Sequence, residues 1–309
     1  MTDALYHAGA EPARFVLREQ RDPHIVEAAL AEDRGYAAYA LGHLEPGLLE
    51  RARFWLADGA EGHGVLLHAR GALGRTVCVV GAPAAVEALL ALHPGPIDSY
   101  LSTAAPEHLP ALRRTYALSH MTQMQRMATS AVAFRPVAGD VRRLVGRDAR
   151  ALNLLYASDG APTGYGPEHL ERAVYFGAFE AGRLAAAAGT HVVAPHAGVA
   201  VVGNVFTHPQ FRGLGLAERV TSAVTSELLE RGCSTVALTV NPTNTPAVRA
   251  YTRLGYRPGA FVIEARVRRR DLAGARAAWR RWRARRAAGT PGIEAISAGR
   301  RPPDQGGHA

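Results

Sequence analysis

Asn204-Val-Phe-Thr-His-Pro-Gln-Phe-Arg-Gly-Leu-Gly-Leu-Ala217 is the stretch on which the reading of this chain turns. A strand from Gly198 to Thr207 runs into Pro209, which cannot donate to a ladder. A tight turn with Gly213 and Gly215 follows. A helix spanning Arg212 to Arg231 starts within it, with Leu214, Ala217, Val220, Val224 and Leu228 on one face and Gly232 as its stop. Free amides at a helix start, with the positive end of the helix dipole, make an anion site, and glycines let the backbone approach a pyrophosphate closely. Two nucleotide loops fail on the residues. A dinucleotide fingerprint needs Gly or Ala where Glu218 stands, and no acid follows the next strand near Asn241 to hold a ribose. A Walker loop needs a lysine, and all 36 basic residues here are Arg. What the stretch does meet is Gln210, then Gly213 three residues on, then Gly215, a pattern that an ordinary helix start also meets.

Working outward, the segment before this stretch predicts a strand near Val141 to Leu144 and a helix from Ala149 to Ala157. A Gly/Pro-rich loop from Ser158 to Pro167 and a short helix follow, then two hairpin strands, Tyr175 to Glu180 and Leu184 to Val193. After it come a strand at Thr235 to Val240 and a helix with Thr245 as N-cap and Pro246 at its first position, ending at Leu254-Gly255. A last strand lies between Ala260 and Val267. The N-terminal part predicts a helix over Ile25 to Leu41, strands near Arg53 to Leu56, Gly64 to His68 and Thr76 to Val80, and a helix from Pro83 to Leu92, with no phosphate loop of its own. Hairpins followed by strand-helix-strand-helix-strand define an α+β, layered α/β fold. A length of 309 residues suits two globular units, and Phe134 to Gly139 is the best boundary.

About thirty residues past the glycine turn stands Asn244-Thr-Pro-Ala247-Val-Arg-Ala-Tyr251-Thr-Arg-Leu-Gly255-Tyr256. With the strand leading into Thr207-His-Pro209, it resembles the GNAT superfamily of acyl-CoA-dependent N-acyltransferases over roughly residues 138–268. The resemblance implies a mixed central sheet flanked by helices, in two tandem GNAT-like domains: a degenerate one over 1–135, as in the glycine N-acyltransferase-like group, and a catalytic one over 136–268. It also implies acetyl-CoA or another acyl-CoA as co-substrate and a small-molecule or peptide amine as acceptor. Val205, Phe206 and Thr207 would then offer backbone groups to pantetheine. Gln210 and the amides of Arg212, Gly213, Leu214, Gly215, Leu216 and Ala217 would receive the pyrophosphate, and Asn244 would face the pantetheine. Tyr251 would protonate the departing thiolate, since a phenol with a pKa of about 10 is protonated at neutral pH. Its other reading is a core aromatic beside Leu254. Asn204 is placed beside the reacting centre, able to position a water but not to take a proton. The base stays open among His191, His208, Asp159, Glu168, a water chain, and an amine that arrives neutral. The alternative to an enzyme is a non-catalytic CoA-binding or interaction module.

The net charge of +9 suggests nucleic acid until it is divided along the chain. Residues 265–309 hold 12 Arg against Asp271, Glu294 and Asp304, which is the whole excess, so no nucleic-acid partner is expected of the globular part. Residues 269–309 read as a basic helical tail, disordered beyond Gly289. Its stripe of Leu272, Ala275, Trp279 and Trp282 is expected to dock both Trp on the acyltransferase domain, with an anionic membrane or nucleic acid as the other possible partners. Cys78 and Cys233 are too few for a disulfide framework, and the first 15 residues carry Asp3 and Glu11 in place of an apolar run, so a reduced cytoplasmic compartment is expected. The 13 His form no metal-binding helical pair, and no metal is expected.

Overall fold

The computed structural model describes residues 15–71, 74–160, 163–290 and 292–296. Its first part runs β1 (Phe15–Gln20), α1 (Pro23–Ala29), α2 (Ala38–Gly42), β2 (Ala52–Gly59), β3 (Gly62–Gly71), β4 (Gly74–Gly81), α3 (Pro83–Leu92), β5 (Asp98–Thr103), α4 (Leu109–Thr115) and β6 (Tyr116–Ser130). The second runs β7 (Arg142–Arg143), α5 (Ala149–Ala157), α6 (Pro167–Arg172), β8 (Phe176–Glu180), β9 (Arg183–Ala194), β10 (Val199–Thr207), α7 (Leu216–Glu230), β11 (Thr235–Val240), α8 (Thr245–Arg253) and β12 (Arg257–Arg269). The order of elements is the same twice over. After it come α9 (Ala275–Ala288) and β13 (Ile293–Ile296).

All these strands form one sheet, ordered β13-β1-β2-β3-β4-β5-β12-β6-β11-β10-β9-β8-β7. The two parts are interleaved at its centre. β12, the last strand of the second part, lies between β5 and β6 of the first, pairing Ala265 with Leu101 and Val267 with Leu118. β6 in turn pairs with β11, from Thr235 opposite Ser130 to Val240 opposite Gln125. Only β4 with β5 and β10 with β11 are parallel, each pair joined by a helix. Around α7, Val220, Val224 and Leu228 are fully buried, each contributing about 1.5–3 kcal/mol relative to exposure.

Several expectations shift. The helix expected over residues 25–41 is broken into α1 and α2, because the Asp33 carboxylate accepts from the Tyr36 amide at 2.8 Å and stabilises a turn there. α7 begins at Leu216, so Leu214, half-exposed, lies outside its apolar face. The N-cap of α8 is Asn244, whose side chain accepts from the Ala247 amide, with Thr245 and Pro246 in the first turn.

The tail is corrected most. β13, expected to be disordered, pairs with the edge strand β1, Phe15 opposite Ile296. Glu294 holds it there, accepting from Arg285 at 3.0 Å and lying 2.6 Å from His93. The residues after 296 lie outside the described part. α9 docks through Ala277 and Ala284 onto the first part, not the second, because two small side chains on one face let it approach α3 closely. Arg281 donates to the Leu92 carbonyl at the end of α3. Trp279 and Trp282 face outward, 56% and 53% exposed, with Arg283 and Arg286 lying over their rings. No helix among the described residues is long and apolar enough to cross a membrane.

Residues 136–296 expressed alone would leave β12 without β5 and β6, and β11 without its antiparallel partner. This fragment should be insoluble or molten. The full chain should unfold in denaturant as one transition, coincident by circular dichroism and by the fluorescence of Trp55, Trp279 and Trp282, which all report on the first part and α9; two separated transitions would contradict the interleaved core.

Candidate functional site

β10 and β11 pair only from Val199 with Thr235 to Val202 with Leu238. Beyond that point β10 continues to Thr207 and β11 to Val240 without pairing, so the two strands splay and open a cleft. The other edge of β10 is bulged against β9: Gly203 lies opposite Gly189 and Phe206 opposite Ala187, so Asn204 and Val205 face a single residue. A bulge leaves its extra residue out of the ladder, which frees backbone groups beside the cleft. Asn204 takes a left-handed φ of 54°. Asn tolerates this conformation better than other non-glycine residues. Two tyrosines clamp it there: Tyr156 donates its hydroxyl to the Asn204 carbonyl at 2.7 Å, and the Asn204 side-chain amide donates to the Tyr175 hydroxyl at 2.8 Å.

Glycine is required at both paired positions, 189 and 203. A Cβ at Gly189 would fall 2.1 Å from the Tyr175 ring, and one at Gly203 would fall 1.7 Å from the His191 ring. The two rings therefore lie across the backbone at the bulge. His191 is surrounded by protein yet open to solvent, as expected of a group lining a cleft. Desolvation, then the nearby Arg126 and His169, lowers its pKa to about 4, so its imidazole is neutral at physiological pH.

At the end of β10, His208 accepts from the Gln210 amide and starts a short turn through Phe211. Gly213 and Gly215 follow with φ of 84° and 73°. A Cβ at either would meet nothing, so the backbone conformation and not crowding demands glycine. Gly215 caps α7 without a side chain, which leaves first-turn amides uncapped and available to an anion. Arg212 and Gln210 are exposed beside the turn, and Arg212 forms an ion pair with Asp159 at 3.1 Å across its rim. Arg253 is committed elsewhere, gripping Glu218 through both nitrogens and tying α8 to α7.

Tyr251 lies on α8, 6% exposed, in the same apolar cluster as Leu216 and Val240, with Val205, Phe211 and Ala247 packed against it. That cluster joins the β10 end, the glycine turn and α8 around one cleft. Burial raises the phenol of Tyr251 to about 12, so it remains a proton donor throughout the neutral range. Asn244, as N-cap, holds the helix that carries it. Among the bases named from sequence, Asp159 is paired with Arg212, His208 holds its turn and Glu168 sits on the exposed first turn of α6; His191 alone stands at the bulge. Sequence reasoning missed Tyr156, Tyr175, Arg126 and Glu264. The two glycines inside otherwise apolar strands were the available signal, since an interior strand glycine marks a bulge or a close approach. Among the described residues, no group of three or more His, Cys, Asp or Glu is placed to hold a metal.

Residues 148–256, from the start of α5 to the end of α8, match the acetyltransferase (GNAT) family. No curated protein matches the chain. Among solved structures, a Drosophila protein is 16% identical over 79% of this chain and 87% of its own, with a TM-score of 0.54. A GCN5-related N-acetyltransferase from Kribbella flavida is 21% identical over 77% of this chain and 97% of its own, with a TM-score of 0.50. A tandem GNAT protein from the clavulanic acid biosynthesis pathway is 13% identical over 82% and 98%, with a TM-score of 0.44. The fold is the GNAT fold, a mixed sheet flanked by helices, and residues 148–256 carry the family's sequence pattern.

Asn204→Gly should keep the bulge, whereas Asn204→Val, forced into a left-handed conformation, should lose roughly 1–3 kcal/mol in thermal or denaturant unfolding. Equal stability of the two variants would show that the bulge is unstrained.

Proposed function

We propose that the protein is an acyl-CoA-dependent N-acyltransferase, moving an acetyl or other acyl group to a primary amine by direct attack on the thioester. The observation that carries this reading is the convergence on one cleft of a splayed strand pair, a clamped bulge and an uncapped glycine turn. Pantetheine would enter between β10 and β11 against the backbone of Val205, Phe206 and Thr207, and the pyrophosphate would rest on the amides from Arg212 to Ala217, with Gln210 beside it. The site suits the group: the Thr207 hydroxyl is buried without a partner, and the space above Gly213 and Gly215 is open. Free backbone amides at the bulge would stabilise the tetrahedral oxyanion, and Tyr251 would donate its proton to the leaving thiolate.

The repeated element order supports a tandem arrangement, with units of about 15–130 and 142–269. The first unit reads as degenerate. At the position matching the glycine turn, Ala82 and Pro83 open α3, and the buried His108 ring hydrogen-bonds the Gly81 carbonyl at 2.9 Å, closing the gap. One acyl-CoA per chain follows. The likeness to the glycine N-acyltransferase-like group would lie in this arrangement.

Calorimetry should record binding of one acetyl-CoA, lost in Gly213→Val, whose Cβ cannot adopt the required φ; no binding by the wild type would remove the cofactor assignment. Tyr251→Phe should lower kcat by about 10²–10⁴-fold with acetyl-CoA affinity retained. Because the phenol is raised to about 12, loss of its proton should cause no alkaline fall in kcat below about pH 10. CoA binding without thiol release against any amine would instead favour a non-catalytic binding module.

A further inference from the structure

On the side of the bulge facing α2, the second part meets the first, and polar groups from six elements gather there. Tyr39 of α2 lies edge-on to the His191 ring, centroids 6.0 Å apart, and 5.0 Å beneath the Arg126 guanidinium of β6. Arg126 is 1% exposed. Its two terminal nitrogens donate to the hydroxyls of Thr239 and Thr103 and to the Ser102 carbonyl, while its Nε is buried without a partner. Glu264 of β12 is different. It is only partly buried, accepts from the Tyr100 hydroxyl at 2.9 Å and also from the Thr239 hydroxyl, and lies within electrostatic reach of Tyr39 and Arg126. A carboxylate that accepts from two hydroxyls keeps further lone pairs, and with Tyr100 against it and Tyr39 within electrostatic reach it is a composition that receives an organic cation. Desolvation raises its pKa, and the hydrogen bond from Tyr100, the charge of Arg126 and the hydrogen bond from Thr239 each act against that rise.

Resting on the acyltransferase reading above, we propose that this seam is the acceptor site and that it takes a small dibasic amine, one nitrogen held as ammonium by Glu264 while the other attacks at the bulge with His191 as its proton acceptor. A nitrogen held as an ammonium ion has no lone pair and cannot attack, so recognition and reaction fall on different nitrogens. The neutral nitrogen forms a bond to the thioester carbon, giving an oxyanion and an N–H that has become acidic. His191 takes that proton, the C–S bond breaks, and Tyr251 protonates the thiolate; the amide and CoA leave, and water restores both side chains. The groups that face His191 are Arg126 from β6, Tyr39 from α2 and His169 from α6, with Tyr175 across the neighbouring glycine. Arg126 and His169 both oppose its protonation, so the ring is neutral before the amine arrives but is a weak base. An acceptor bearing a carboxylate would be repelled by Glu264.

The test is thiol release from acetyl-CoA with 1,3-diaminopropane, putrescine and cadaverine against propylamine and glycine, using the full chain. Diamines should exceed propylamine in kcat/KM by at least about tenfold. Glu264→Gln retains the acceptor for Tyr100 and should raise the diamine KM about tenfold, and His191→Asn should lower kcat at least about 100-fold; both should bind acetyl-CoA as the wild type does, which also reports that they fold. Arg126→Gln should move the acidic limb of the kcat profile to higher pH as the His191 ring becomes easier to protonate. Preference for propylamine or glycine, no diamine turnover by a protein that binds acetyl-CoA, or an unchanged diamine KM in Glu264→Gln would overturn the proposal. Failure of the wild type to bind acetyl-CoA would overturn the cofactor reading instead.

Discussion

The pairing of β6 with β12 at the centre of the sheet is the constraint on which the rest depends. β12 pairs with β6 from Arg257 opposite Ala128 to Arg269 opposite Tyr116, and neither strand has a full set of partners within its own part of the chain. Exchange of these strands joins the two parts of the chain in one sheet. It also brings Arg126, carried by β6, and Glu264, carried by β12, to the same place. In the proposed reading the second part supplies the cofactor side of the cleft, and the interleaved strands add the opposite wall.

The second constraint is local. A strand pair that splays must stop hydrogen bonding on one side, and a buried strand does not leave its backbone groups unpaired without reason. Here the bulge at Asn204 accounts for part of that loss: the Tyr156 hydroxyl donates to the displaced Asn204 carbonyl, and the Tyr175 hydroxyl accepts from the Asn204 side chain. The paired glycines then admit two rings where any other residue would collide. Stability and chemistry meet at these few residues, which is where backbone strain is expected to collect.

Much of the second part was legible because its signals are local. α5 and β11 fall where periodicity places them, and the glycine turn is set by residues adjacent in sequence. The first part was less legible, and β6 was missed altogether. Its segment, Tyr116 to Ser130, is polar along much of its length and its side chains are exposed from Ser119 to Gln123, so it carries no alternating apolar pattern although its backbone is paired on both edges. The glycine turn needed only residues adjacent in sequence. The proposed acceptor end needs Tyr39, Arg126, His191 and Glu264, which no spacing rule connects because only the strand exchange brings them together. The tail misled for a related reason: its large aromatic residues looked like the docking face, whereas close packing selected Ala277 and Ala284.

The interleaved sheet also fixes an order of events during synthesis. β1, paired with β2 on one side, finds its other neighbour only at Ile296, and Leu101, paired with Val77 on one side, finds its other neighbour only at Ala265. While the ribosome is still making the second part, β5 and β6 have strand edges that nothing yet covers. Such edges recruit other chains as readily as their own. Contacts this distant in sequence form slowly, so the nascent first part must wait in a partly open state, and a shielding chaperone is most useful in the interval before β12 emerges.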